Sequence, residues 1–566
     1  MSTVQVIGLN KLSNKDRDTT NLDIVYAYHD RTKHHLHRYS RSLDYMDWKN
    51  QPDPFRRYDQ SLTLPLEQLQ KTEIPTYDSL FNTRQAATVI NRDSISRLFY
   101  ESLAISAWKQ AGENRWSLRV NPSSGNLHPT EAYLIAGPIK DLSDAPAIYH
   151  YSAYKHALEH RVTLTNEEWD AIGINLPSDF LLILLSSIYW RESWKYGERA
   201  FRYCHHDVGH AIGAVSFAAA ALGWKTSLIH FVTDDVMETL LGLHQQKDIE
   251  AEHPDCILAI FPFDEDITLT NPIVNFPTML LERLKIIEFD GCPNTLSNDH
   301  HDWPIIKRIA EACRFDSNTS LDHKPHSLTE QNSKFKLDED RQISARKIIR
   351  ERRSALAMDG KSTISRDTFY RMMAHVSPQM GKNIIQTLPW QACVSLAIFV
   401  HRVDDLPAGL YMLIRHPAHE PSLKKALHSE FFWEKPEGCP ESLPLYLLQL
   451  ADVCEAAKTI SCHQDIAADG AYALGMLAEF DASLEQYGAL FYTRLFWETG
   501  LIGQILYLEA EAAGIRSTGI GCFFDDVMHE VLGIGDHSWQ SLYHFTVGIP
   551  VGDPRLQQLP SYWHLK

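Results

Sequence analysis

The sequence lacks most of the features that would assign a chemistry at once. No stretch of about 18 apolar residues is available to cross a bilayer. The longest candidate, FLLILLSSIYW from Phe180, suits a buried strand better. The N-terminal run MSTVQVIGLNKLSNKDRDTT has no apolar core of signal-peptide length. Nine scattered cysteines, an odd number, fit reduced thiols better than a disulfide framework. The expected compartment is therefore the cytoplasm, with no membrane partner. HExxH and CxxC are absent, and the histidine clusters at His34, His35 and His37, at His205 and His206, and at His300 and His301 lack ligand spacing, so no metal is expected. GxSxG and GxxxxGK[ST] are missing too, and GIG at Gly519 lacks the third glycine of a dinucleotide fingerprint. Positive charge is the scarcer sign: a net charge of −18 repels a phosphate backbone and argues against nucleic acid.

What is present is apolar material for more than one core. The chain has 566 residues, 44% of them hydrophobic and 22% charged, where one domain usually holds about 100–200 residues. At least two globular domains follow, and general disorder does not.

An internal repeat says what those domains are. GHAIGAVSFAAAALGWKTSLIHFVTDDVMETLLGL from Gly209 matches GLIGQILYLEAEAAGIRSTGIGCFFDDVMHEVLGI from Gly500. Gly223 with Gly514, Met237 with Met528 and Gly242 with Gly533 all keep the offset of 291. Upstream the offset is 269, pairing Arg84 with Arg353 and Arg97 with Arg366. The division expected is an N-terminal extension over 1–75, one copy over 76–289, a polar linker crossing the surface over 290–343, and a second copy over 344–566. In each copy, small and apolar residues at helical spacing from Val208 and from Thr499 predict a helix closed near Gly223 or Gly514. A short strand and another helix follow. Long helices alternating with isolated strands indicate an α+β fold.

The runs YHDRTKHHLHRYSRSLDYMDWKNQPDPFRRYD, LRVNPSSGNLHPTEAYLI from Leu118, WKYGERAFRYCHHDVGH from Trp194 and RERRSALAMDGKSTISR resemble those of nitroreductase-like flavoproteins, in particular the SagB-type or thiazoline-oxidase branch. The resemblance covers nearly everything but the linker. It implies the nitroreductase fold, normally a homodimer holding flavin mononucleotide (FMN) between its copies. Here one chain would supply both copies as a pseudo-dimer, alone or in a higher assembly, leaving each half free to diverge.

The resemblance also implies a site built from both halves. Arg352, Arg353 and Ser354 of the second copy would grip the FMN phosphate, for which guanidinium forks and a hydroxyl are suited. Pro122, Ser123, Ser124, Gly125 and Asn126 of the first would lie along the ring, where small residues let the backbone approach. Gly519, Ile520, Gly521 and Cys522 would sit beside the ring near its reactive nitrogen, although many nitroreductases carry Glu-Gly where this chain has Gly521-Cys522. Arg555 offers a further phosphate charge. Gln464 either bonds the pyrimidine edge of the flavin or packs in the core. Cys522 is a redox thiol or, with no second cysteine near it in sequence, a small packed residue. The reciprocal site is degraded: Thr83, Arg84 and Gln85 replace the phosphate grip, and Trp390, Gln391, Ala392 and Cys393 replace the loop. One flavin per chain is expected.

Lys195 and Tyr196 have two readings. Azoline-oxidising relatives resemble this segment in carrying a Lys-Tyr pair as base, whereas WKYGERAFRY also reads as an amphipathic helix start with Glu198 and Arg202 paired at i,i+4. Arg191, Arg199 and Arg202 read as structural. The function expected is an FMN-dependent oxidoreductase moving hydride between flavin and a small-molecule or peptide substrate such as an azoline. The alternatives are an NAD(P)H-dependent nitro or quinone reductase and a non-catalytic flavin-binding scaffold or partner protein. NAD(P)H or oxygen is the expected redox partner.

Overall fold

Gly209 and Gly500, which the repeat pairs, meet in space. A Cβ on Gly209 would stand 2.8 Å from the Gly500 Cα, and one on Gly500 would stand 2.2 Å from the His206 carbonyl oxygen. The long helices that carry them, Ala200–Ala220 and Phe491–Ala512, therefore cross backbone to backbone, which only residues without Cβ permit. In a symmetric dimer the residue on the twofold axis meets its own copy; here Gly209 meets its repeat equivalent within one chain. Gly500→Ala is expected to lower the thermal midpoint through overpacking worth about 1–3 kcal/mol. Gly488→Ala is the control, since a Cβ at that half-buried position would meet nothing within 4 Å, and its positive φ of 78° sets the smaller strain cost to be subtracted.

The computed structural model describes residues 14–68, 73–82, 85–263, 273–316, 341–379 and 382–565. Each half builds one large antiparallel sheet. In the first the strand order is Thr63–Pro65, Ala157–Thr163, Ala147–Ser152, Thr130–Ala136, Leu181–Ser187, His253–Pro262 and Trp224–Ile229. In the second it is Leu445–Leu450, Gly409–Leu413, Val394–Val400, Tyr472–Glu479, Trp539–Gly548 and Arg516–Ile520. Strand for strand the order is the same, apart from the edge strand that residues 63–65 add to the first. The mixed helix and sheet content is the α+β arrangement expected.

The crossing helices begin about two turns earlier than their apolar stripes suggest, at Ala200 and Phe491 rather than Val208 and Thr499. Their extra turns are buried against both halves, so polar residues there escape a hydrophobic pattern. Both are followed by a left-handed glycine, Gly223 with φ 74° and Gly514 with φ 73°. The next strands are Trp224–Ile229 and Arg516–Ile520, and the next helices, Asp234–Leu241 and Asp525–Leu532, close at Gly242 and Gly533, again left-handed.

Two segments tie the halves together. The extension helix Asn14–Arg31 reaches the second copy, where His29 lies 3.2 Å from the Tyr492 hydroxyl and 3.1 Å from Gln540 Oε1. The last strand of the chain, Gln557–Leu559, pairs with Ile105–Ala111 of the first copy. The described part of 290–343 is more than a polar crossing: Pro304–Ala312 is a helix whose Ile306 and Ile309, with Trp303, are buried in the shared core. Its period is one short turn-and-a-half pattern, too brief to stand out within a polar stretch.

Candidate active site

A cavity of ≈ 600 Å³ opens between the copies. Its wall takes Pro122, Ser123, Ser124, Gly125, Asn126 and Tyr196 from the first half, and Arg352, Arg353, Ser354, Gln464, Gly519, Ile520, Gly521 and Cys522 from the second. Segments separated by more than 200 residues are thus brought to one site. Lys195 and Arg555 are not in that wall.

One end is cationic. Lys109, Arg352, Arg353 and Arg516 line it. Arg352 spends its Nη2 on the carbonyls of Arg119 and Val120, 3.2 Å each, and lies over the Tyr507 ring at 4.9 Å. Arg353 finds only the carbonyls of Arg350 and Arg352, at 3.0 and 2.6 Å. Its Nε and that of Arg352 have no partner. Burial, and then the charge of Arg352, pull the Arg353 guanidinium down to about 9. Burial, then the charges of Arg353 and Arg516, lower the Lys109 ammonium. Crowded, desolvated cations of this kind fit an anion that returns the missing charge. Ser354 adds a hydroxyl 2.9 Å from the Tyr507 hydroxyl, which in turn accepts the Gly519 N–H at 3.0 Å.

The other end is flat and aromatic. The 122–126 loop is held from below, the Ser124 N–H donating to the two Asp207 oxygens at 2.9 and 3.0 Å and its hydroxyl to Asp207 at 3.1 Å. Asn126 donates to the Ser117 carbonyl at 2.8 Å, and Ser123 is occupied by His128 at 3.1 Å. Gly125 and Asn126 are both left-handed, φ 58° and 60°, a pair of conformations suited to glycine and asparagine. Three tyrosines press on three glycines: a Cβ would stand 2.5 Å from the Tyr196 hydroxyl at Gly125, 2.1 Å from that of Tyr543 at Gly519, and 2.4 Å from Tyr203 at Gly521. Tyr203 donates to the Gly521 carbonyl at 3.0 Å. His210 lies 3.1 Å from the Tyr543 hydroxyl and 3.3 Å from Gln504 Oε1. Burial keeps its imidazole neutral by pulling it down to about 3.

Beneath the loop lies a carboxyl pair. Glu192 and Asp207 are fully buried and act on each other electrostatically. Burial pushes both acids up, and the Asp207 charge pushes Glu192 further. A raised folded pKa favours the protonated fold, so the contribution is complete below the unfolded value and is lost as pH rises through the folded one. Glu192→Gln is therefore expected to gain thermal stability over the native chain progressively as pH rises from the ordinary carboxyl range into alkaline solution. A melting series across that range checks it, and a constant difference would contradict it.

Several sequence expectations are corrected here. Glu198 does not pair with Arg202: it holds Arg31 of the extension at 2.6 and 2.8 Å. Glu198 lies in the 3-10 turn Gly197–Arg199, ahead of the long helix that opens at Ala200 and carries Arg202, so α-helical i,i+4 spacing does not apply between them. Arg202 instead joins Arg199 on Asp525, at 2.8 and 2.9 Å, and Arg191 joins Glu131 at 2.5 Å, all three structural. Arg555 is exposed and spent on Asp553, at 2.7 and 2.9 Å, neutralising a carboxylate of the cavity rim. Lys195 Nζ lies 5.2 Å from the centroid of the Tyr196 ring. Cys522 does have a second cysteine beside it, Cys462, 60 residues away in sequence and 2.8 Å away in space. Gln464 donates to the carbonyls of Ser461 and Cys522, at 2.8 and 3.1 Å.

The repeat also places the degraded counterpart. Cys393, which stands where Asn126 does, donates its N–H to Glu498 at 3.0 Å, and Glu498 is equivalent to Asp207. There Arg415 neutralises the carboxylate. Trp390 is buried against Phe491 and Trp497, with centroids 5.7 and 6.5 Å apart. Thr83 and Arg84 lie outside the described residues, and Gln85 donates to the Ser79 hydroxyl at 3.0 Å.

A model of the nitroreductase family matches residues 102–260 and 422–549, together just over half of the chain. The chain belongs to the nitroreductase family. Both matched regions fall in the two copies, so the family domain occurs twice and the chain is an oxidoreductase of that family. A crystal structure from Anabaena variabilis, described as a nitroreductase, superposes with a TM-score of 0.67 over 93% of this chain and 99% of that one, at 23% identity, which shows the shared fold. A Methanocaldococcus jannaschii protein whose name places it among nitroreductases is 28% identical over 134 residues. That match covers 22% of this chain and spans 64% of the length of the relative.

Sequence reasoning missed Asp207, Glu192, Tyr203, Tyr543, Lys109 and Arg516. The repeat held a signal for the first, because offset 291 pairs one carboxylate, Asp207, with another, Glu498.

Proposed function

We propose that the chain is an FMN-dependent oxidoreductase carrying one cofactor in the cavity its two copies share. The observation that supports this reading is the cationic end, where buried guanidinium nitrogens lack partners and depress one another. A phosphate dianion supplies the charge they lack. Arg352, Arg353 and Ser354 would hold that phosphate, and the 123–126 loop and Gly519–Cys522 would flank the ring. The bound isoalloxazine supplies hydride transfer.

The protein's own contribution is orientation and proton control. Asp207 fixes the loop through Ser124, and the raised pKa of both acids spares the buried floor a second charge. Tyr196 stands in the wall, and burial, then the Glu192 charge, push its phenol well above the ordinary tyrosine range. It is therefore a hydrogen-bond donor at rest. That favours reduction of an organic acceptor such as a nitro compound or quinone, with a nicotinamide donor. The second reading, oxidation of an azoline or related peptide-derived heterocycle of the SagB type with oxygen as acceptor, uses Lys195 and Tyr196 as base. Its support is the position of Tyr196 in the wall with Lys195 adjoining.

Visible absorbance of the purified chain, with and without added FMN, tests the cofactor. A flavin spectrum is expected, and a chain that stays colourless with FMN in excess contradicts the reading. Anaerobic mixing with NADH and NADPH then separates the directions: bleaching marks the reductase, whereas bleaching by an azoline peptide alone marks the dehydrogenase. A flavin that neither bleaches marks a scaffold.

A further inference from the structure

Beside one residue of the cavity wall, Cys522, lies a second thiol, Cys462, and hydride transfer uses neither. The Sγ atoms of Cys462 and Cys522 are 2.8 Å apart, and a movement of roughly 0.8 Å would reach the ~2.05 Å of a disulfide. Two features hold them together. Gln464 bridges the carbonyls of Ser461 and Cys522, tying the two backbone segments. Cys462 and His463 are consecutive left-handed residues, φ 55° and 59°, neither of them glycine, a conformation retained only where surroundings enforce it.

The two half-buried sulfurs differ in place and chemistry. Cys522 lines the cavity, where a small molecule can meet it. Its thiol is lowered by hydrogen bonding with Cys462, assisted by the Arg199 guanidinium, whereas the Cys462 thiol is pushed up by the same interaction. A low-pKa accessible sulfur beside a less acidic one is the arrangement of an attacking and a resolving thiol. Five of the other cysteines, Cys204, Cys256, Cys313, Cys393 and Cys439, are buried.

We propose that Cys462 and Cys522 are a reversible dithiol–disulfide couple at the edge of the cavity, with the wall residue Cys522 attacking and Cys462 behind it resolving, and with small disulfides of the glutathione class as substrate. The Cys522 thiolate attacks one sulfur of the substrate, forming a mixed disulfide and releasing one thiolate. Cys462 then gives up its proton and attacks Cys522 Sγ, expelling the second thiolate. Two protein thiols are oxidised, one substrate disulfide is reduced to two thiols, and the proton lost by each cysteine ends on a product thiol. A reducing thiol pool runs the steps backwards. The couple does not depend on the flavin reading, because its electrons come from and return to the thiol pool.

The test equilibrates the full chain in mixtures of reduced and oxidised glutathione, alkylates the remaining thiols, and maps the peptides by mass. The ratio of cross-linked Cys462–Cys522 peptide to alkylated peptide is expected to change by roughly tenfold or more across the series and to reverse with dithiothreitol. Exposed Cys292 is the internal control for alkylation. Cys462→Ser is expected to accumulate one glutathione on Cys522. Independent alkylation of both cysteines at every ratio, or an unmodified Cys522 in the variant, would overturn the proposal. Flavin absorbance read on the same samples keeps the two readings apart: a colourless chain that forms the cross-link contradicts the cofactor alone.

Discussion

Arg353→Ala loses FMN and gains stability without it. The two effects have one cause. Arg353 is buried among cations and bonded only to backbone carbonyls, so in the ligand-free chain its charge is a cost that the depressed guanidinium registers. With a phosphate in the cavity the same charge becomes a partner. A hydrogen bond to a charged group contributes about 1.5–3 kcal/mol, so the dissociation constant for FMN rises by roughly 10- to 150-fold. The melting temperature of the flavin-free variant rises above that of the flavin-free native chain. Titration of FMN and melting of stripped protein, done together, check both signs. Arg352→Ala is a poorer probe, because Arg352 also holds the carbonyls of Arg119 and Val120.

The second large effect is structural. Asp525 collects Arg199 and Arg202 of the first copy and the His34 N–H of the extension, at 2.9, 2.8 and 3.0 Å. It joins three segments of the chain at one buried point, and the two arginines hold its carboxyl far below the ordinary range. Asp525→Asn leaves both arginines buried and charged without their counter-ion, and breaking a buried pair costs about 3–5 kcal/mol. The junction adjoins the site, since Arg199 and Tyr203 both donate to the Gly521 carbonyl. The variant is therefore expected to melt well below the native chain and to bind FMN more weakly. Asp526→Asn, at a half-exposed carboxylate, is the comparison, with a change of about 1 kcal/mol or less.

Much of this was readable in the chain itself. The gapless offset of 291 between Gly209 and Gly500 marks one supersecondary unit used twice, and those glycines proved to be where the copies touch. The 122–126 loop and the 352–354 run carried enough local character to be paired across the halves. What the sequence hid were contacts that only the fold creates. Cys462 reaches Cys522 across 60 residues through a turn with no glycine to announce it. Glu198 turns to Arg31 because it sits in a 3-10 turn just before the long helix that carries Arg202 begins. Arg555 looked free for a phosphate because the nearby Asp553, two residues away, reads equally well as a loop carboxylate. The helix Pro304–Ala312 gives too short a pattern to be seen within a polar stretch.

One FMN site per chain, owned by neither copy alone, has a direct measure: flavin-stripped chain is titrated with FMN and bound flavin is read per polypeptide. A plateau is expected at one FMN for each 566-residue chain, with binding weakened alike by Arg353→Ala in the second copy and Asp207→Ala in the first. A plateau at two, or binding that survives both substitutions unchanged, would contradict it.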